Sequence, residues 1–387
     1  MSRVLLCVNS DVGRGNTIGF RFGKIANELK KNRIYYDIIA RANYDNGLTV
    51  IVPFYKNYLA RSLNAFRIFL FPKFNYRKVE IKLFDYYVLF KLRYFKKKYC
   101  LAHFGEPLPR SIEYLKKQGT KVVLDIPIGH VAYAIEQNNK GIKIASEKIT
   151  RLKCLDQSIE MSDVIIIPSE FVRHTLKIAK YSDITTRMVR FGVDLPDEFH
   201  IQDISKRALK KKITFLFVGN VNFRKGVLYL LESWKKANMI DAELILCGRF
   251  FKEIKKELHK YNFDNVIFTG FADIKKYMRD AHIFVFPTLL EGSAKAIFEA
   301  MSYGLPVITT FNAGSIVKDS DSGFIIPIAD SDAMVEKMKF FYNNSQKIVE
   351  MGINAYNQVK DFTWNRYASS VFDVYKEFCD QLTEEKI

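Results

Sequence analysis

Pro287-Thr-Leu-Leu-Glu291-Gly-Ser-Ala-Lys-Ala-Ile-Phe-Glu299-Ala-Met-Ser-Tyr-Gly304-Leu-Pro-Val-Ile-Thr-Thr310 reads, in chain order, as a strand end, a loop, a helix, a tight turn and another strand. The loop carries Glu291-Gly292 and the helix starts near Ser293 or Ala294, so Glu299 falls on the second turn, with seven residues between the two carboxylates. Such a helix start leaves the N–H groups of residues 292–295 without intrahelical partners, and they favour phosphate oxygens. A loop carboxylate suits the hydroxyls of a sugar, and one on the helix suits the paired hydroxyls of a ribose. In isolation a carboxylate at a helix start is ordinarily a cap or a solvated charge, so the surroundings must decide.

Units of the same kind flank it. Phe217-Val-Gly219-Asn-Val-Asn-Phe-Arg224-Lys225-Gly226 ends a strand in glycine and places two cations in a loop before the next helix. In the second half, strand-like runs at 213–219, 243–248, 266–269, 283–287, 306–310 and 323–326 alternate with helical patterns at 226–237, 251–260, 274–280 and 294–303. The first half repeats the theme. Strand runs at 3–9, 35–40, 99–103, 121–126 and 164–168 alternate with helical patterns ending at Lys31 and at 111–117 and 169–180. This alternation predicts an α/β fold with mostly parallel sheets covered on both faces. A chain of 387 residues is long for one core and suits two such domains. We expect a first domain at 1–195, a second at 196–360 after the polar, turn-rich linker from Asp194 to Phe199, and a terminal segment at 361–387. Two Rossmann-like, doubly wound domains place ligands beyond the carboxyl ends of their strands, in the cleft between them.

The Glu291/Glu299 segment resembles the glutamate-x7-glutamate motif of family 4 retaining glycosyltransferases of the GT-B fold, including those that build bacterial cell-surface polysaccharide and lipopolysaccharide. The likeness continues through Gly304-Leu-Pro-Val-Ile and departs at Gly292-Ser-Ala-Lys-Ala296, where the family commonly has Gly-Phe-Gly-Leu-Pro. It implies that Glu291 contacts the donor sugar, that Glu299 contacts the ribose, and that Gly292, Ser293, Ala294 and Lys295 border the donor. Lys225 matches the family lysine that holds the donor diphosphate. Asn220 stands after Gly219 where an arginine is usual, and Arg224 is the candidate to replace that charge. Phe268-Thr-Gly270-Phe-Ala272 is similar to the loop that edges the nucleotide base, Gly13-Arg-Gly15-Asn-Thr to the glycine loop approaching donor and acceptor, and Asp163–Val172 and Arg190–Asp194 to further family segments. The ending from Phe362-Thr-Trp364 resembles a helix that crosses back onto the first domain. Near the acceptor the family often carries a histidine. His130 is the candidate, with Asp125 behind it, while a simple helix-start histidine is the competing reading; His103 reads as structural.

The resemblance implies a transferase in which Glu291, His130 and Lys225 are the catalytic candidates. The co-substrate would be a nucleotide-diphosphate sugar and the acceptor a glycan or lipid-linked sugar. No metal or other cofactor is expected, because cations and the helix end neutralise the leaving diphosphate. Asp319-Ser-Asp321 and Asp330-Ser-Asp332 spell a metal-binding string, but their places in turns and before a helix read as caps. A nucleotide-sugar epimerase of the same fold is the alternative, separable because it would act without an acceptor.

Charge is uneven. Residues 1–195 hold 34 Lys and Arg against 17 Asp and Glu, whereas residues 196–387 hold 26 against 25. From Pro53 to Tyr99, twelve cations face only Glu80 and Asp85, interleaved with aromatic rings. A basic half implies an anionic partner. An anionic membrane surface is the favoured reading, against a helical excursion whose rings fill the first domain's core and whose lysines are merely solvated. Nucleic acid is not expected, since that reading leaves the Glu291 segment unexplained and shows no recognisable motif. No run of about 18 uncharged apolar residues occurs, and the start lacks the features of a leader. We therefore expect a cytoplasmic protein, peripherally attached to the inner face of the membrane. The five cysteines are scattered without metal-ligand spacing and read mostly as reduced core thiols.

Overall fold

The computed structural model describes residues 3–13, 15, 17–53, 76–144, 153–197, 199–208, 212–251, 254, 257–258 and 264–382. The first half comprises β1 (Arg3–Val12), α1 (Ile18–Lys31), β2 (Tyr35–Asn43), β3 (Val50–Ile51), α2 (Tyr76–Phe95), β4 (Leu101–Phe104), α3 (Pro109–Lys116), β5 (Lys121–Asp125), α4 (Val131–Asn139), α5 (Lys153–Met161), β6 (Val164–Ile167), α6 (Glu170–Ile178) and β7 (Thr186–Met188). Its strands form one sheet in the order β3-β2-β1-β4-β5-β6-β7, and every pairing is parallel. Val4 to Val8 are all buried, as a strand covered on both faces requires.

The second half continues with α7 (Gln202–Ala208), β8 (Ile213–Val218), α8 (Val227–Ala237), β9 (Ala242–Cys247), β10 (Val266–Gly270), α9 (Ile274–Asp280), β11 (Ile283–Phe286), α10 (Lys295–Ser302), β12 (Val307–Thr310), β13 (Gly323–Ile326), α11 (Ser331–Asn343), α12 (Ser345–Val359) and α13 (Trp364–Phe378). Its sheet runs β10-β9-β8-β11-β12-β13, again parallel throughout. Strand order reverses between β1 and β4 in one sheet and between β8 and β11 in the other, which is where such sheets open a crevice for ligands. The expected linker is irregular, but Phe199 at its end is already buried in the second core, against Tyr303 and Tyr356. Most of the helix expected at 251–260 lies outside the described residues. The short edge strands β3 and β7 are additions to the sequence-based expectation, whereas the long helix α2 matches the helical alternative for the basic stretch over its described part.

Helix α13 does cross back. Thr363 caps it by accepting the Arg366 amide at 3.2 Å. Its inner face, Trp364, Tyr367, Val371, Phe372 and Tyr375, joins the first domain's core with Phe22, Ile25 and Leu29 of α1. A β-carbon on Gly192 would stand 2.5 Å from the Trp364 nitrogen, so the crossing point admits only glycine without a shift.

One contact of α13 makes stability depend on pH. His103 on β4 is fully buried, with Nδ1 2.6 Å from the Tyr375 hydroxyl. Burial, reinforced by the nearby Arg21 guanidinium, pushes its pKa down to about 3. As pH falls through about 6.5 the unfolded chain takes up a proton that the native chain refuses, so this contribution is present above that value and is lost on acidification. We expect His103→Gln to lose about 2 kcal/mol less than the wild type between pH 7 and pH 5 in urea unfolding; equal losses would refute the assignment.

Candidate active site

A cavity of about 730 Å³ opens between the two sheets. The first domain and α13 supply Thr17, Ile18, Arg21, Pro127, Ile128, Phe191 and Trp364 to its wall. The second domain supplies Gly219, Asn220, Arg224, Lys225, the turns at Gly248-Arg249 and Gly270-Phe-Ala272, and Glu291 with residues 293–296.

Two loops of the second domain lock face to face to build this wall. Phe223–Lys225 is a single 3-10 turn, entered at Asn222, whose side-chain oxygen accepts the Lys225 amide at 3.1 Å. The chain leaves it through Gly226 at φ +70°, where a β-carbon would meet the Pro287 carbonyl oxygen at 1.9 Å. Leu289 donates its amide, and Thr288 its hydroxyl, to the Arg224 carbonyl. Further along, Glu291 and Ala294 donate their amides to the carbonyls of Asn312 and Ala313. The result brings Arg224 Nη1 and Lys225 Nζ onto the same carboxylate oxygen of Glu291. Arg224 also donates to the Leu290 carbonyl at 2.8 Å, and Lys225 Nζ lies 4.5 Å from the Phe286 ring centroid. Burial, opposed by Glu291 and assisted by Arg224, lowers the Lys225 pKa. Beside this cluster α10 begins at Ala294 with no side chain capping it, which leaves its first N–H groups available to an anion.

Gly219, Asn220, Arg224, Lys225, Ala272, Glu291, Ser293, Ala294 and Lys295 thus border one cavity, as their motifs suggested. Four other candidates do not. Glu299 sits on α10 with its carboxylate 2.8 Å from Lys295 Nζ, its charge turned along the helix. Gly292 is pressed against the first domain, since a β-carbon there would lie 1.8 Å from the Pro127 carbonyl oxygen. Gly15 is exposed, and its neighbours Arg14 and Asn16 lie outside the described residues.

His130 is a correction. Its ring is buried behind the cavity wall, where Nδ1 caps α4 by accepting the Ala132 amide at 3.2 Å and Nε2 faces Asp156 at 3.4 Å. The strand-to-loop position was read properly, but the backbone turns the imidazole away from the cleft, as the helix-start reading required. Asp125 is also spoken for. Its carboxylate lies 2.8 Å from Arg21, which donates to the Tyr367 hydroxyl and lies over the Phe191 ring. Arg21 itself was missed. The signal was present, because Ile18, Arg21, Phe22, Ile25 and Leu29 share one helical face, and a cation on an apolar stripe calls for a partner. The two Asp-x-Asp strings behave as caps and turn acceptors: Asp330 takes the Ala333 amide, Asp319 the Ile325 amide, and Asp321 the Asn354 side chain. Among the described residues, no group of three or more His, Cys, Asp or Glu gathers to hold a metal.

Residues 200–358 match the family model described as "Glycosyl transferases group 1". That match lies within the second half of the chain. The chain is 29% identical over 239 residues to an O-antigen chain mannosyltransferase from Escherichia coli, covering 58% of this chain and 62% of that protein. It is also 29% identical over 219 residues to an Escherichia coli UDP-Gal:alpha-D-GlcNAc-diphosphoundecaprenol alpha-1,3-galactosyltransferase, covering 50% and 51%. The matches therefore span about half to three fifths of these relatives. A sucrose-phosphate synthase structure from Thermosynechococcus elongatus aligns over 98% of this chain and 100% of its own, with TM-score 0.72 at 18% identity. Anabaena HepE in complex with UDP aligns over 97% and 100%, with TM-score 0.68 at 15% identity. At such identities the likeness concerns the fold, which is the two-domain GT-B architecture.

The shared carboxylate makes a measurable demand. Glu291 holds the Lys225 pKa up against burial, so Glu291→Gln should lower it further. A ¹³C-dimethyl-lysine NMR titration of Lys225 in both proteins would read the shift; an unchanged or raised value would show that the two side chains do not pair in solution.

Proposed function

We propose that this chain is a retaining, metal-independent glycosyltransferase of the family 4 type, acting in cell-surface glycan synthesis. It moves a sugar from a nucleotide-diphosphate donor to a glycan or lipid-linked acceptor. The observation that carries this reading is the convergence of Arg224 and Lys225 on Glu291 beside the uncapped start of α10. A donor diphosphate would draw both cations and the helix N-terminus onto its oxygens and free the Glu291 carboxylate for the sugar hydroxyls. The bond from anomeric carbon to phosphate oxygen breaks and a bond to the acceptor oxygen forms on the same face. The acceptor proton passes to the departing phosphate oxygen, so no separate base is needed. Lys225, Arg224 and the helix end stabilise the charge that develops there. Glu299 would reach the ribose only on leaving its ion pair with Lys295, and Gly270-Phe-Ala272 edges the base. The activity for which the galactosyltransferase relative is named supports this donor and acceptor chemistry.

The test begins with thermal stabilisation by a panel of nucleotide sugars, where a ligand at 100 times its dissociation constant adds roughly 2.7 kcal/mol. Glu291→Ala should then abolish transfer with the fold intact, and Lys225→Ala should weaken diphosphate-containing ligands while leaving the nucleoside unchanged. Normal transfer by Glu291→Ala would sink the reading.

An anionic membrane surface is the partner we propose for the basic half. Residues 54–75 of the basic aromatic stretch lie outside the described residues, but α2 carries the argument. Both its carboxylates turn inward: Glu80 pairs with Arg41, and buried Asp85 accepts the amides of Arg110 and Ser111 at the start of α3. The opposite face is left with exposed Leu83, Tyr86, Phe90 and Tyr94 beside exposed Lys82 and Arg93, followed by exposed Lys96 and Lys98. Rings at the headgroup level and cations against anionic lipid are the elements of interfacial binding. Among the described residues no helix is long and apolar enough to cross a membrane. Lys97 belongs to the fold, 2.9 Å from Asp37, so the variant to make is Lys82, Arg93, Lys96 and Lys98 all changed to Glu. It should lose salt-sensitive co-sedimentation with phosphatidylglycerol vesicles; equal wild-type binding to neutral vesicles would defeat the idea.

A further inference from the structure

The loop that carries Glu291 is held from the other domain as well as its own. Gly129 donates its amide to the Glu291 carbonyl at 3.0 Å, and Ser169 donates its hydroxyl to the Gly292 carbonyl at 2.5 Å. The single proton of that hydroxyl goes to Gly292, and its oxygen accepts the Val172 amide at 3.3 Å, capping α6. Ser169 is buried, and the fit around it is tight: a β-carbon on Gly314 would stand 2.5 Å from Ser169 Oγ and 2.0 Å from the Gly292 carbonyl oxygen.

From this juxtaposition we propose that Ser169 is a positioning residue for transfer, acting through the backbone of Gly292 to aim the Glu291 carboxylate. The proposal rests on the donor-site reading of Glu291. The physical need is plain. Pro127 excludes any β-carbon at 292, and glycine there has the widest backbone freedom of any residue. The peptide next to the sugar-binding carboxylate therefore takes its orientation from contacts outside the loop. The second domain holds the amides of Glu291 and Ala294, while the carbonyls of Glu291 and Gly292 are held by Gly129 and Ser169 of the first. Losing the Ser169 bond frees the Gly292 carbonyl to rotate and lets Glu291 leave the register set by Arg224 and Lys225. A misplacement of about 1 Å at such a group can cost up to roughly a hundredfold in rate.

The test compares wild type, Ser169→Ala and Ser169→Thr, the last keeping both hydroxyl and cap. Without any ligand, hydrogen exchange at the Glu291 and Ala294 amides should quicken by about tenfold in Ser169→Ala, with β11 and β12 unchanged and Ser169→Thr near wild type. In assays with UDP-glucose, UDP-galactose and GDP-mannose, kcat on the accepted donor should fall about tenfold, with affinity for its free diphosphate within about twofold of wild type. In a Glu291→Gln background, Ser169→Ala should no longer change the ratio of nucleotide-sugar to diphosphate affinity, because the contact it aims is already gone. Exchange that is unchanged, or that rises evenly over the whole domain, would overturn the proposal, as would an undiminished effect in the Glu291→Gln background. If the wild type bound none of the three nucleotide sugars, the donor-site reading would fall and take this proposal with it. Donor binding with an unaltered exchange pattern in Ser169→Ala would sink the positioning role alone.

Discussion

Gly226 and the Pro287 carbonyl come so close that no side chain fits between them, and the second domain's working face follows from that contact. One loop leaves β8 and the other leaves β11, the pair of strands between which the sheet order reverses. Forced together there, the two loops exchange hydrogen bonds through the Arg224 carbonyl and have nowhere to send Arg224 and Lys225 except toward Glu291. Three charges meet in a half-buried wall because two cations compensate one carboxylate and leave a surplus of positive charge. A surplus of that sign, next to an uncapped helix start, is a standing demand for an anion.

The first domain shapes the rest of the cavity by different means. Its polar groups near the cleft are mostly satisfied among themselves: Arg21 with Asp125 and Tyr367, His130 with the α4 amide and Asp156. What it presents to the cavity is largely apolar or aromatic, from Ile18, Ile128, Phe191 and Trp364. Charge chemistry is thereby concentrated on one wall and shape on the other, a division that suits a reaction in which the donor carries the charge.

Much of this was legible in the sequence, for a definable reason. The Glu291 and Lys225 motifs are local, each a strand end, a loop and a helix start, so the family resemblance could place Arg224, Lys225 and Glu291 on one rim, although Gly292 and Glu299 of the same segment stand off it. The crossing of α13 was legible only by family resemblance, because nothing local in Phe362-Thr-Trp364 says which domain will receive it. The misses share a cause as well. Arg21 and Asp125 are far apart in sequence and meet only through the sheet, and the side to which the His130 ring turns is set by backbone angles that composition does not express. Helix α2 was legible only as the alternative reading of the basic stretch, because Tyr86, Phe90 and Tyr94 face outward, spreading apolar residues around the helix and blurring its period. Strands β3 and β7 have two and three residues, too few for any pattern to register.

The return of α13 also has a meaning in time. His103 and Tyr375 are partners across 272 residues. A ribosome adding about 5–20 residues per second needs roughly 15–55 s to make that stretch. From the completion of β7 at Met188 onward, the first domain has all the strands of its sheet but lacks the tyrosines that close over Arg21 and His103. A domain that emerges first is thus sealed last, and a nascent chain stalled before Trp364 would expose the apolar face of α1 to whatever holdase or protease is near.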